Sequence, residues 1–260
     1  MFSMVRSVGV FGIQSYMVSI EADVSMGKAK FDVVGLPDLA VNESRERVRS
    51  AMRNSGFDFP VIHITVNLAP ADIRKEGPIY DLPILIALLS ATGQLSKQPS
   101  DIAFIGELSL GGEVRHINGV LPMVIEARNN GIRQIFIPFD NAAEASVVDG
   151  IEIFAVRTVK EIIEHLENVN KLAPVEFSVP DTKADYFNFA DFADVKGQFQ
   201  AKRALEVAAA GGHNILMIGP PGSGKSMLSR RLPSILPDMT WKESLDVTQI
   251  YSVMGMLSPK

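Results

Sequence analysis

One stretch, Gly219-Pro220-Pro221-Gly222-Ser223-Gly224-Lys225-Ser226, constrains the fold of this chain more than any other. It is a complete Walker A phosphate loop, and such a loop works between a strand that delivers it and a helix that starts on it. Residues 214–218 supply an apolar run before it, and residues 227–232 a helix-compatible run after it. A nucleoside triphosphate presents several negative charges, and glycines let backbone N–H groups converge on the phosphates without interference from Cβ. The helix adds the positive end of its dipole. On this pattern Lys225 is the catalytic cation reaching the β and γ phosphates, Ser226 ligates Mg²⁺, and the backbone from Gly222 to Lys225 cradles the β-phosphate. Gly219, Pro220, Pro221, Ser223 and Gly224 complete the binding loop.

The rest of the composition mostly excludes. No apolar run reaches the ~18 residues that a membrane span needs, the longest candidate being residues 82–91. The start lacks a charged region followed by a long apolar stretch and a cleavage site, so a cytoplasmic location is expected. The chain has no cysteine, which excludes disulfides, thiolate metal sites and a cysteine nucleophile. His63, His116, His165 and His213 lack metal-ligand spacing, so no zinc site is expected. A net charge of -5 gives no overall basic field for nucleic acid, and any DNA contact must be local or lie beyond residue 260.

Length and pattern predict two domains. Alternation over residues 8–13 and 17–24 predicts two antiparallel strands, and residues 31–34 a third. Residues 38–55 are charged on one side and carry Leu39, Val41, Val48, Ala51 and Met52 on the other, which predicts a helix stopped at Gly56. Its charged run 43–49 reads as a solvated face. Strands follow at 61–67, 102–108, 134–137 and 152–156, with helices at 82–92, 123–130, 141–148 and 159–167. This alternation suits helices packed on a mixed sheet in an α+β domain. Residues 172–191 then break the pattern with prolines, carboxylates and no period, as a linker does. Beyond it residues 196–211 predict a helix, with Ala201, Ala204, Leu205, Ala208 and Ala209 facing inward, ahead of the strand that feeds the phosphate loop. Trp241 reads as core packing.

Residues 194–198 (Asp-Val-Lys-Gly-Gln), 201–206 and 208–214 look like the entry to a magnesium-chelatase-like AAA+ ATPase, and residues 250–255 (Ile-Tyr-Ser-Val-Met-Gly) lie downstream of it. The whole chain resembles the YifB/ComM family, in which a Lon-protease-like domain precedes such a motor. The resemblance implies an α+β Lon-protease-like domain over residues 1–171, a linker over 172–188, and over 189–260 the truncated start of an α/β P-loop AAA+ domain. It places Val195 to Gly197 either against the nucleotide base or at an ordinary helix entry. Residues 74–81 resemble the Lon nucleophile loop, yet Ile79 stands where the serine would be, and residues 106–121 resemble the segment ending in the Lon base, yet Leu121 stands where the lysine would be. A Ser-Lys dyad needs both groups, so a non-proteolytic scaffold is expected, with Tyr80 and Lys75 as candidate improvised substitutes.

The resemblance further implies ATP and Mg²⁺ as cofactors and a self-associated ring, a homohexamer, that hydrolyses ATP to drive DNA branch migration as a helicase in natural transformation and recombination. Walker B, sensor and arginine-finger residues belong to later segments of such motors, so the fragment is expected to bind phosphate without useful hydrolysis. Two alternatives stand beside this: a chelatase-like ATPase remodelling a protein partner for metal insertion, and a non-enzymatic docking module.

Overall fold

A computed structural model describes residues 1–96, 101–178 and 191–257. They form two compact units, Met1–Val179 with Leu245–Lys260, and Pro180–Ser244. In the first, β1 (Phe2–Phe11) and β2 (Gln14–Ser25) make a long antiparallel hairpin pairing Phe11 with Gln14 and Phe2 with Asp23. Further strands are β3 (Lys30–Val34), β4 (His63–Ala69), β5 (Ile102–Phe104), β8 (Gln134–Pro138) and β9 (Glu152–Val156). Together they form a seven-stranded mixed sheet in the order β3-β4-β2-β1-β5-β8-β9, antiparallel where β1, β2 and β4 meet and parallel elsewhere. A mixed sheet was expected, but β1 begins six residues earlier than its alternation suggested. Ser3 and Ser7 point inward there, and their hydroxyls donate to the carbonyls of Ala87 at 2.6 Å and Phe104 at 2.9 Å. The expected strand 102–108 breaks into β5 and β6 (Glu107–Leu108), and β6 pairs instead with β7 (Val114–Arg115). At the break Gly106 N–H donates to Ile79 and the Gly106 carbonyl accepts from Leu82.

Helices cover the sheet. In α1 (Leu39–Asn54) Asp38 caps the first turn by accepting from Val41 N–H at 2.7 Å. Val41, Val48, Ala51 and Met52 are buried as the pattern predicted, whereas Leu39 is 82% exposed because it lies in the first turn, away from the sheet. The run 43–49 is not wholly solvated either. Arg47 turns inward to an ion pair with buried Asp81. That residue opens α2 (Asp81–Ala91), in which only Ser90 is not buried; a helix apolar all round belongs inside a core. The remaining helices of this unit are α3 (Val120–Asn129), α4 (Ala142–Ala145) and α5 (Val159–Leu166), the last capped by Thr158. Phe104, Phe136 and Phe154 on adjacent parallel strands stack with centroids 5.2 and 5.1 Å apart, and His165 packs its ring against Phe154. Of the expected linker, 179–188 lie outside the described residues. The part before them is tied down, with Val175 N–H bonded to Ile153 and Ser178 N–H to Ser146.

The second unit holds α6 (Phe199–Gly211) and α7 (Lys225–Arg231) around a small core of Phe192, Val195, Leu205 and Leu228. Helix α6 starts three residues later than expected, and of its predicted inward set Leu205 and Ala208 are buried while Ala204 is exposed. The strand expected at 214–218 is not formed: this run has no regular structure, and Leu216 and Ile218 are 82% and 88% exposed. A strand needs a neighbouring strand to pair with, and among the described residues of this unit there is none. A last helix, α8 (Trp241–Val253), spans the boundary at Leu245 between the stretches assigned to the two units, and Trp241, expected in a core, is 41% exposed.

Candidate nucleotide site

The phosphate-loop residues form one turn-and-helix feature. Gly222 and Gly224 take φ of 80° and 89°, a left-handed conformation that L side chains resist, and Gly224 caps α7. Ser223 N–H bonds to the Pro220 carbonyl at 3.3 Å, and Leu228 N–H to the Gly224 carbonyl at 2.9 Å. Since this is the first helical bond, the amides of Lys225 and Ser226 have no partner inside the helix and are free to donate to an anion. The Lys225 ammonium arches back over the loop, donating to the carbonyls of Gly219 and Pro220, each at 2.8 Å, with Ser223 Oγ at 3.3 Å. Ser226 is exposed at the start of α7. A cation, two leading amides and a hydroxyl thus converge on one small region, a donor set that fits a phosphate with its divalent counterion.

Beside the loop lies a hollow of about 410 Å³, walled by Ala201 and Ala204 of α6, by Leu216 and Ile218, and by Gly219 and Lys225. Small side chains on α6 leave room for a flat ligand group. Of the residues considered for base contact, Val195 is buried in the small core beside Leu205, while Lys196 and Gly197 are exposed. Gln198, next along the chain and the last residue of the same motif, lines the hollow as well, although only residues 195–197 were considered for the base.

At the two protease-like positions the structure places apolar packing. Leu121 is fully buried in a cluster with Val120, Val124 and Ile135, and Ile79 packs against that cluster too. The substitutes are committed elsewhere. Tyr80 is buried with its hydroxyl 3.3 Å from that of Tyr16, and burial pushes its pKa well above the ordinary tyrosine value. Lys75 is fully buried and donates to the Ile73 carbonyl at 2.7 Å, with burial holding its pKa below the usual lysine value. Around them Asp81 is the most perturbed carboxyl, pushed up to about 6 by burial, which outweighs the opposing pull of Arg47. No helix among the described residues is long and apolar enough to cross a membrane.

Family models described as subunit ChlI of magnesium chelatase match residues 20–141 and 191–260. An uncharacterized protein of Mycobacterium tuberculosis is 44% identical over 256 residues, and the competence protein ComM of Haemophilus influenzae is 40% identical over 255; each alignment takes in 97% of this chain and 50% of the relative. YifB of Escherichia coli is 40% identical over 254 residues, 97% of this chain and 49% of that protein. The likeness to Lon is partial, 31% identity over 159 residues with Lon protease of Acinetobacter baumannii, covering 56% of this chain and 20% of that one. The chain therefore spans about half the length of the curated relatives it matches. With ChlI models over residues 20–141 and 191–260 and ComM-type relatives along nearly all its length, the chain belongs to the YifB/ComM family of magnesium-chelatase-like AAA+ ATPases.

Proposed function

We propose that this chain provides the ATP-binding part of a ring-forming motor that hydrolyses ATP to drive DNA branch migration, in recombination and natural transformation. The observation that carries the reading is the loop Gly219–Ser226 at the start of α7, with Lys225 Nζ poised over the loop carbonyls and the leading amides without helical partners. Membership in a family that includes a competence protein supports DNA as the polymer acted on.

In this reading the Lys225 ammonium leaves the Gly219 and Pro220 carbonyls for the β and γ phosphates of ATP, stabilising charge as the terminal bond breaks. The amides of Gly222 to Lys225 orient the β-phosphate, and the Ser226 hydroxyl takes one coordination position of Mg²⁺. The ion neutralises phosphate charge when bound. The hollow against α6 takes the base. Residues 1–171 form a non-proteolytic scaffold, because Ile79 and Leu121 leave neither nucleophile nor base, and self-association, as a homohexamer, completes the motor. DNA-stimulated ATP hydrolysis by the full-length protein tests the reading. A rate that DNA does not raise, but that a protein partner does, would favour the second reading, a chelatase-like remodeller, which rests on both family models being a chelatase subunit.

A further inference from the structure

The turn that resembles the Lon base segment has an occupant. Residues 117–119 fall within the first matched region and α8 within the second, yet α8 from Leu245 onward lies in the same compact unit as residues 117–119. Gly119, which caps the amino end of α3, donates its N–H to the Ser252 carbonyl in the last turn of α8 at 3.0 Å. A helix start lacks acceptors for its amides and a helix end lacks donors for its carbonyls, so the two ends satisfy each other and their dipoles attract.

The turn is held from behind. Asn141 donates from Nδ2 to the Ile117 carbonyl at 2.8 Å and accepts Ile117 N–H on Oδ1 at 3.2 Å, and the same amide donates to Glu144 Oε1 at 2.8 Å. Glu144 is thereby fixed near the hydroxyl of Ser252, which is buried without a well-formed hydrogen bond of its own. One heptad earlier on the same face, Leu245 packs against the cluster that contains Leu121 and Val124. The fit is close: at Gly255, with φ of 65°, a Cβ would lie 2.8 Å from Asn118 Nδ2, and at Gly119 one would lie 3.6 Å from Val253 Cγ2. The other side of α8 is open, with Ile250 and Tyr251 exposed. So narrow an attachment opens at a smaller free-energy cost than the core does.

We propose that the turn Ile117–Gly119, backed by Asn141 and Glu144, is an intramolecular receptor for the carboxyl end of α8, a releasable latch through which the nucleotide state of the chelatase-like region reaches the Lon-like one. The vestigial protease segment keeps a use as this receptor. Only the nucleotide dependence rests on the function proposed above.

Hydrogen–deuterium exchange on the full-length protein tests it in two arms. Ser252→Asp places a carboxylate beside Glu144, and exchange at 117–121 and 250–256 is expected to rise about tenfold or more while the strands stay protected. Adding Glu144→Gln removes the repulsion and restores protection, which a merely misfolded variant would not show. In the second arm a non-hydrolysable ATP analogue is expected to change exchange at both segments in the parent and not in Lys225→Ala. Parent-like protection in Ser252→Asp would overturn the latch. Analogue binding with no change at either segment would overturn its coupling to nucleotide. Failure of the parent to bind the analogue at all would overturn the coupling together with the proposed function, and the first arm would still decide the latch.

Discussion

The Arg47 guanidinium grips the Asp81 carboxylate with two hydrogen bonds, Nε to Oδ2 at 2.6 Å and Nη2 to Oδ1 at 3.0 Å, at a point where α1 meets the start of α2. Asp81 also accepts Leu108 N–H at 3.2 Å, so one buried carboxylate ties together α1, α2 and β6.

This carboxyl titrates near 6 in the folded protein, above the ordinary aspartate value near 4, because desolvation outweighs the pairing. A raised folded pKa means the folded state holds the proton more tightly, so the stability it contributes is complete below about pH 4 and is lost as pH rises through about 6. Asp81→Ala should therefore cost about 2 kcal/mol at pH 7, where Arg47 loses its partner, and roughly 3 kcal/mol more at pH 4. Urea midpoints of parent and variant from pH 4 to 7 measure this. A penalty that shrinks as pH falls would mean that the ion pair, not burial, dominates.

At Leu121 the scaffold reading predicts that a lysine is not tolerated. The side chain is fully buried among aliphatic groups, where an ammonium loses its hydration. Leu121→Lys should lower stability by about 3 kcal/mol or more, and the parent should not cleave casein. Cleavage by the parent that disappears in Lys75→Met or Tyr80→Phe would reveal an improvised dyad and refute the scaffold.

For the phosphate loop, Gly222→Ala and Gly224→Ala each force an alanine to a φ near 80° or 89°. A strain of about 1 kcal/mol or more on the binding conformation should weaken ATP by about tenfold while leaving the helical content of the protein unchanged. Titration calorimetry with ATP-Mg²⁺ reads the loss directly, and parent-like affinity in both variants would show that the loop does not hold the phosphates.

How far the sequence discloses this molecule depends on the kind of signal. Helix α1 was legible because its apolar face and Gly56 mark it, and α2 because its apolar run has a helical length. The first half of β1 was hidden by Ser3 and Ser7, polar residues that face inward because carbonyls of other segments accept their hydroxyls. Arg47 looked like one charge among several until the fold brought Asp81 to it. Residues 214–218 carry a strand's composition, but pairing depends on a partner that the local sequence does not contain. The turn at Gly222 and Gly224 was readable because its backbone demand is local: both glycines take positive φ where α7 begins. The docking of Ser252 on Gly119 joins residues 133 positions apart and left no local mark.

The most direct test of the whole account is ATP hydrolysis by the full-length protein with and without DNA, beside Lys225→Ala. The account predicts turnover that DNA stimulates in the parent and a loss of about 100-fold or more in the variant, the ~3 kcal/mol that one cation aimed at the terminal phosphate contributes to the transition state. Undiminished turnover in Lys225→Ala, or turnover indifferent to DNA, would contradict it.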